Sequence, residues 1–245
     1  MMNIQEYLVD KSQSWRLFDR QVSSKYDLVA DLISLRLYRR WCGALARSLP
    51  AQDTLEILDL ATGTGAIPEA IVDARAARKD QITGVDLSEE MLAIFRQKLE
   101  GRPQLGEQVT LLKGDATALE LPAERFDAVT MACGIRNVSD ASAGMREIYR
   151  VLKPGGKVFF LEPAIPKNTI LKGIFLGYFR YLVPLIAGLF SNGDAYRYFN
   201  RSVEDFPYGE DFLSLMREAG FQQLRWERVT LGAGALYIGE RPEES

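Results

Sequence analysis

Arg136 and Asn137 stand side by side directly after an apolar run, FDAVTMACGIRNV (126–138). The run reads as a buried strand, so the pair is either a solvated turn or a set of groups facing a substrate. A guanidinium stays charged without tuning, and an amide both donates and accepts. Upstream, DLATGTGAIPEA (59–70) follows LEILDL and opens a helical pattern. Gly63 and Gly65 let the backbone turn tightly and approach a ligand. The next strand-like run, QITGVD, ends in Asp86, at the spacing expected of an acid that accepts from both hydroxyls of a ribose. Asp115 ends a third run, in KGDATALELP, and could accept from an adenine amino group.

This set binds a nucleoside. A dinucleotide fingerprint would place a third Gly at position 68, where the chain has Pro68. That shifts the ligand from NAD toward an adenosine without phosphates, with S-adenosylmethionine as the candidate, and counts against an oxidoreductase of the same layout. The bland alternatives are a tight turn with an exposed acid, and Asp115 as a helix cap.

The chain contains no histidine. That excludes a Ser-His-Asp triad, a His base and His-ligated metal, and no metal site is expected. A net charge of −3 gives no basic footprint for nucleic acid. Cys42 and Cys133 fit reduced thiols better than a disulfide framework. The first twenty residues have no apolar core of a secretory signal. TILKGIFLGYFRYLVPLIAGLFS (169–191) approaches the length of a membrane span but carries Lys172, Arg180, Pro184 and three glycines. It reads as two short amphipathic helices, able to cover a core, line an apolar pocket or rest on a membrane.

Strand-like and helix-like runs alternate from Leu55 onward, which predicts a parallel sheet wrapped by helices. Helices are expected over 66–77, 87–100, 140–152 and 209–220, the second capped by Ser88 and the last ended by Gly220. PGG (154–156) is expected to end the third of these, with a strand KVFFLE beginning at 157. QLRWERVT and GALYIG finish as two strands. The expected layout is an N-terminal helical cap (1–54), a Rossmann-like α/β core (55–164), an apolar helical lid (165–207), and a C-terminal helix with the last two strands of a mostly parallel seven-stranded sheet (208–245).

LDLATGTG, GVDLS, KGDATALELP, FDAVTMACGIRNV and YRVLKPGGKV, in this order, resemble the class I S-adenosylmethionine-dependent methyltransferases. SSKYDLVADLISLRLYRRW, GIRNV, AYRYFNRSVEDFP and GAGALYIG narrow the resemblance to the ubiquinone/menaquinone biosynthesis C-methyltransferases, over residues 15 to 240. The resemblance implies methylation of a polyprenyl quinol ring carbon, with S-adenosylhomocysteine as the spent donor. It implies that Gly63, Thr64, Gly65 and Asp86 hold the methionine and ribose parts of the donor and Asp115 and Ala116 the adenine. Ala61, Leu87, Met91, Ala132 and Cys133 would also lie alongside it. Arg136 and Asn137 would face the quinol, and Tyr26, Tyr178, Phe179, Tyr196, Arg197 and Tyr198 would contact the acceptor. Two departures stand out: the family often has His where this chain has Tyr38 and Tyr237.

A ring carbon is a poor nucleophile until a neighbouring hydroxyl ionises, which costs roughly 4 kcal/mol at pH 7. Arg136 is expected to stabilise the developing phenolate and Asn137 to donate to the same oxygen. The alternative is that Arg136 pairs with a structural acid and Asn137 fills the turn. Without His, the base is a carboxylate, a Tyr or water, with Asp194 and Glu204 as candidates. Phe175, Tyr178, Phe179, Tyr181, Leu182 and Leu185 are expected to line a tunnel for the prenyl tail. GIRNVSD and GLFS point toward demethylmenaquinol; a benzoquinol or another aromatic or lipid-like acceptor is the alternative. The expected location is cytoplasmic, peripheral to the inner face of the membrane, with a homodimer left open.

Overall fold

The computed structural model describes residues 26–183 and 202–243. Two helices come first, α1 (Tyr26–Ile33) and α2 (Leu37–Ser48). The alternating region follows: β1 (Glu56–Leu60), α3 (Ala66–Ala74), β2 (Gln81–Asp86), α4 (Glu89–Gly101), α5 (Pro103–Gly106), β3 (Val109–Lys113), β4 (Phe126–Ala132), α6 (Ala141–Val151) and β5 (Leu152–Pro163). After α7 (Thr169–Gly177) and the region that follows it come α8 (Glu210–Glu218), β6 (Gln222–Val229) and β7 (Gly234–Glu240).

The strands form one sheet in the order β3-β2-β1-β4-β5-β7-β6. β1 to β5 are parallel, and β7 runs antiparallel to both β5 and β6. Strand order reverses between β1 and β4, and an open α/β sheet binds ligands in the crevice beyond its carboxyl ends at such a point. The apolar runs lack polar alternation because both faces are covered. Leu58, Val129, Val158, Phe160 and Tyr237 pack to one side, and Ile57, Ala128, Phe159, Leu161 and Leu236 to the other.

Local signals set the helix ends. Ser88 Oγ accepts from Met91 N at 3.2 Å, and Asp140 Oδ1 accepts from Ala143 N at 2.9 Å. Gly220, at φ +101°, follows α8. PGG does not separate helix from strand as expected. β5 already starts at Leu152 and runs through it, because Gly155 N donates to Arg241 O and Arg241 N to Gly156 O, extending the pairing with the chain after β7.

In the apolar stretch, Asn168 caps α7 by accepting from Ile170 N and Leu171 N. The helix continues through one wide π turn, Tyr178–Leu182; the rest of the expected two-helix region, 184–191, lies outside the described residues. Among the described residues, no helix is long and apolar enough to cross a membrane. Asp194, Leu185, Tyr196, Arg197 and Tyr198 lie outside the described residues, as does the side chain of Tyr26.

Candidate active site

A cavity of about 1040 Å³ opens at the carboxyl edge of the sheet. It is lined by the turns after β1, β2, β3 and β4, roofed by α1, α2 and α7, and bordered by the turn before β7.

The glycine turn forms its inner end. Gly63 has φ +55°, and a Cβ there would meet only Ala61 O, at 3.9 Å, so the backbone is bare on the cavity side. Gly65 differs. A Cβ there would lie 2.2 Å from the Phe95 ring, and Gly65 is not part of the cavity wall. Its missing side chain lets α4 pack against the turn. Asp86 braces the turn: its Oδ2 accepts from Gly63 N at 2.7 Å and its Oδ1 from Ser88 N at 2.9 Å. A carboxylate oxygen carries two lone pairs, so bracing the turn is compatible with accepting from a ligand hydroxyl. From outside, Asp27 on α1 accepts from Thr64 Oγ1 at 2.6 Å and pairs with Lys98 at 2.5 Å. Sequence reasoning passed over Asp27, since an acid on an amphipathic helix reads as a solvated face.

Ala61, Thr64, Leu87, Met91, Asp115, Ala116, Ala132 and Cys133 all line the cavity. Asp115 Oδ1 also accepts from Thr117 N and Thr117 Oγ1, both at 2.8 Å, so the carboxylate shapes its own turn; among the described residues no helix follows it before β4 for the capping alternative to cap.

Asp59 is fully buried beside this turn. Its Oδ1 accepts from Thr130 Oγ1 at 2.7 Å, across the β1–β4 register. Among the described residues, Asp59 Oδ2 and the neighbouring Thr62 Oγ1 have no hydrogen-bond partner. Burial pushes the Asp59 carboxyl up to about 7, against the pull of the Thr130 hydroxyl. Orphaned acceptors, a bare glycine backbone and carboxylates at two further strand ends fit the amine, ribose and adenine of S-adenosylmethionine. Among the described residues, no group of three or more His, Cys, Asp or Glu could hold a metal ion.

Beyond β4, Cys133 takes φ +54° and its N–H donates to Leu161 O at 2.7 Å. A single 3-10 turn, Ile135–Asn137, follows, anchored by the buried Ile135. Asn137 Nδ2 donates to Cys133 O at 3.1 Å. Part of its amide therefore holds the turn, which is what the bland reading of Asn137 required. Arg136 lines the cavity and yet is only 3% exposed. Its Nη1 donates to Glu162 Oε2 at 2.5 Å and its Nε to Ser202 Oγ at 3.3 Å. The guanidinium meets the cavity as half of a buried ion pair. Burial opposes its charge, but attraction to Glu162 and then Cys133 prevails and raises its pKa above the ordinary value. Burial pushes the Cys133 thiol up to about 11, with Arg136 opposing.

Burial raises the phenol of Tyr208 above its ordinary range and pushes Tyr237 up to about 12, so neither suits a base at neutral pH. Tyr237 is wholly buried between Phe212 and Trp226, and its hydroxyl accepts from Gly209 N at 3.0 Å. Tyr38 lines the cavity. Of the two departures from the family pattern, only Tyr38 touches the site. Glu204 pairs with Arg180 at 3.7 Å, is about half exposed and is absent from the cavity wall, so the expected base there is out of place. Phe175, Tyr178 and Phe179 line the cavity with Ile174 and Leu171. Tyr181 and Leu182 turn outward instead, because the wide turn rotates them off that face.

A Rossmann-like sheet with acids at its carboxyl edge and a deep apolar cavity beside them defines a class I methyltransferase. Solved structures agree on the fold. A SAM-dependent methyltransferase of Thermotoga maritima matches with TM-score 0.64 at 22% identity, covering 93% of this chain and 99% of that one. Phosphoethanolamine N-methyltransferase 2 of Haemonchus contortus, in complex with S-adenosyl-L-methionine, matches with TM-score 0.66 at 17% identity, covering 94% of this chain and 60% of that one. The model of the ubiE/COQ5 methyltransferase family matches residues 8–241. The ubiquinone/menaquinone biosynthesis C-methyltransferase UbiE of Syntrophotalea carbinolica is 42% identical over 228 residues, 92% of each chain. The demethylmenaquinone methyltransferase of Thermus thermophilus is 39% identical over 223 residues, 91% of this chain and 99% of that one. The chain belongs to the ubiE/COQ5 methyltransferase family, and its methyl donor is S-adenosylmethionine.

Proposed function

We propose that the protein methylates a ring carbon of a polyprenyl quinol, demethylmenaquinol, in respiratory quinone biosynthesis. One observation carries the reading: a guanidinium, Arg136, lies in the wall of a single cavity whose inner end is the polar donor turn and whose outer end is aromatic and aliphatic. The names of the family relatives agree with it.

Bound S-adenosylmethionine supplies an electrophilic methyl group. Asp86 accepts from its ribose hydroxyls, Asp115 and Ala116 border the adenine, and Asp59 with the bare Gly63 turn takes the amino-acid end. Arg136 offers a fixed positive charge to the quinol oxygen as it ionises. Asn137 holds the turn that carries Arg136. Phe175, Tyr178 and Phe179 pack the ring and the first prenyl units. Juxtaposing donor and acceptor in this way lowers the barrier by up to roughly 7–11 kcal/mol.

The mouth of the cavity lies against a membrane in this reading. Leu231 is 80% exposed and Ile170 73% exposed, with Leu35 and Ile174 exposed beside the opening. Leu35 and Leu231 both adopt positive φ, at 50° and 55°, a strained conformation that keeps two leucines in view. Arg36, Arg40, Lys167 and Lys172 are exposed on the same or adjoining segments, placed for anionic headgroups.

The test is methyl transfer from labelled S-adenosylmethionine to reduced demethylmenaquinone and to its benzoquinone counterpart, in detergent, with and without reductant. Reductant-dependent labelling of the naphthoquinol ring is expected, and Arg136→Ala should abolish it while leaving donor binding intact. Donor binding without labelling of either ring would move the acceptor to another aromatic compound. Unchanged kcat in Arg136→Ala would remove the guanidinium from the mechanism.

A further inference from the structure

Glu162 has no part in the reading so far. It is the last residue but one of β5, at the same carboxyl edge that Asp59 and Asp86 occupy in β1 and β2, and it is fully buried. It does not line the cavity, whereas its partner Arg136 does. The pair therefore has an inner and an outer member. Its carboxylate lies 2.5 Å from Arg136 Nη1. The second restraint on the guanidinium comes from elsewhere in the chain, the Ser202 hydroxyl at 3.3 Å from Nε. Ser202 opens the helical turn over 202–205 that leads back into the core, where Val203 and Phe206 are buried. One anchor thus belongs to the sheet and the other to the chain leaving the apolar region.

A guanidinium is a planar fork, so two contacts on different nitrogens fix both its position and its plane. A pair serving stability alone has no need to present one partner to a cavity, and buried ion pairs are weak sources of stability. We propose that Glu162 and Ser202 are positioning residues, which hold the Arg136 guanidinium at the place and angle it presents to the acceptor. The proposal rests on the methyl-transfer reading above. Misplacing a group by about 1 Å costs on the order of 100-fold in rate. Glu162→Asp keeps the charge and withdraws the carboxylate by one methylene, so it moves the fork without leaving a buried cation unpaired.

The experiment compares Glu162→Asp, Ser202→Ala, Arg136→Gln and the double variant Glu162→Asp/Arg136→Gln. It uses single-turnover transfer from labelled donor to reduced demethylmenaquinone, with donor affinity and thermal midpoint measured alongside. Glu162→Asp should lower the single-turnover rate by ~100-fold, with donor affinity and acceptor KM unchanged within about threefold. Ser202→Ala should lower it by about 3- to 10-fold at an unchanged thermal midpoint, the loss of one hydrogen bond. In the Arg136→Gln background, Glu162→Asp should have no further effect on the rate. A Glu162→Asp protein as fast as wild type, or one whose loss repeats in full without Arg136, overturns the proposal. Should Glu162→Asp fail to fold, Ser202→Ala decides: a wild-type rate there overturns it. If Arg136→Gln itself is fully active, the mechanistic reading falls. If Arg136→Gln is inactive while Glu162→Asp and Ser202→Ala are unaffected, only the positioning role falls.

Discussion

Asp59 is the buried acid whose ionisation the fold controls most directly. Its carboxyl titrates near 7 in the folded chain and near about 3.9 when unfolded. A folded pKa above the unfolded one means that stability is full below about 4 and is lost as pH rises toward about 7. Asp59→Asn removes that dependence. Without donor, the gap in unfolding free energy between Asp59→Asn and wild type should widen in favour of the variant by roughly 3 kcal/mol between pH 4 and pH 7. Urea titrations at several pH values measure it, and parallel pH profiles for the two proteins would refute it. At this scale the sequence was legible where one residue signals its own role. Gly63, Asp86 and Asp115 follow strands, and Arg136 follows one too. Glu162 carried the same signal, an acid closing an apolar strand, but its meaning depends on a partner 26 residues away. The packing of Phe95 on Gly65 was not legible, because a turn glycine that faces a ligand and one that faces a phenylalanine look alike in sequence.

Between α3 and β2 a buried ion pair fixes how one element hands over to the next. Arg75 Nε bonds Asp80 Oδ2 at 2.5 Å, Asp80 Oδ1 accepts from Leu55 N, and Arg75 reaches Pro50 O and Gln52 O. The network ties the chain entering β1 to the chain entering β2, the two strands that deliver the donor turn and Asp86. Removing one member leaves a buried charge unpaired. Asp80→Ala should lower the unfolding free energy by about 3–5 kcal/mol, readable as a drop in denaturant midpoint. A loss below about 1 kcal/mol would show that water reaches the arginine. Most elements were legible because caps and periodicity are local: Ser88, Asp140 and Gly220 stand where the helices start and stop. The start of β5 was not, since its pairing is set by Arg241, far along the chain. The wide turn after α7 was not legible either. Its sequence is aromatic or aliphatic on both sides of Arg180 and gives no period to read.

The molecule as a whole places its polar and apolar chemistry at opposite ends of one cavity, with exposed leucines around the outer rim. Anionic vesicles should bind the protein, and Ile170→Ser/Ile174→Ser/Leu231→Ser should weaken that binding by ~10-fold or more while methylation of a short-tailed quinol in detergent continues. Flotation assays would show it; equal flotation of variant and wild type would detach the rim from the membrane. The mostly parallel seven-stranded sheet was legible from alternation and from the two final strands. The insertion of β7 between β5 and β6 was not, because antiparallel pairing at such a distance leaves no local mark. The rim was also hidden. Leu35 and Leu231 lie almost two hundred residues apart, and only the fold brings both to the border of one cavity.

Trp41 sits in that cavity wall, its indole N–H donating to Thr230 Oγ1 at 2.7 Å beside the rim turn, while Trp226 stacks on Tyr237 in the C-terminal layer. The protein thus carries its own optical reporter. With Trp15 and Trp226 changed to Phe, the remaining emission would come from one indole at the acceptor's entrance. Quenching by an arriving aromatic ring could then be followed in real time, before any chemistry takes place.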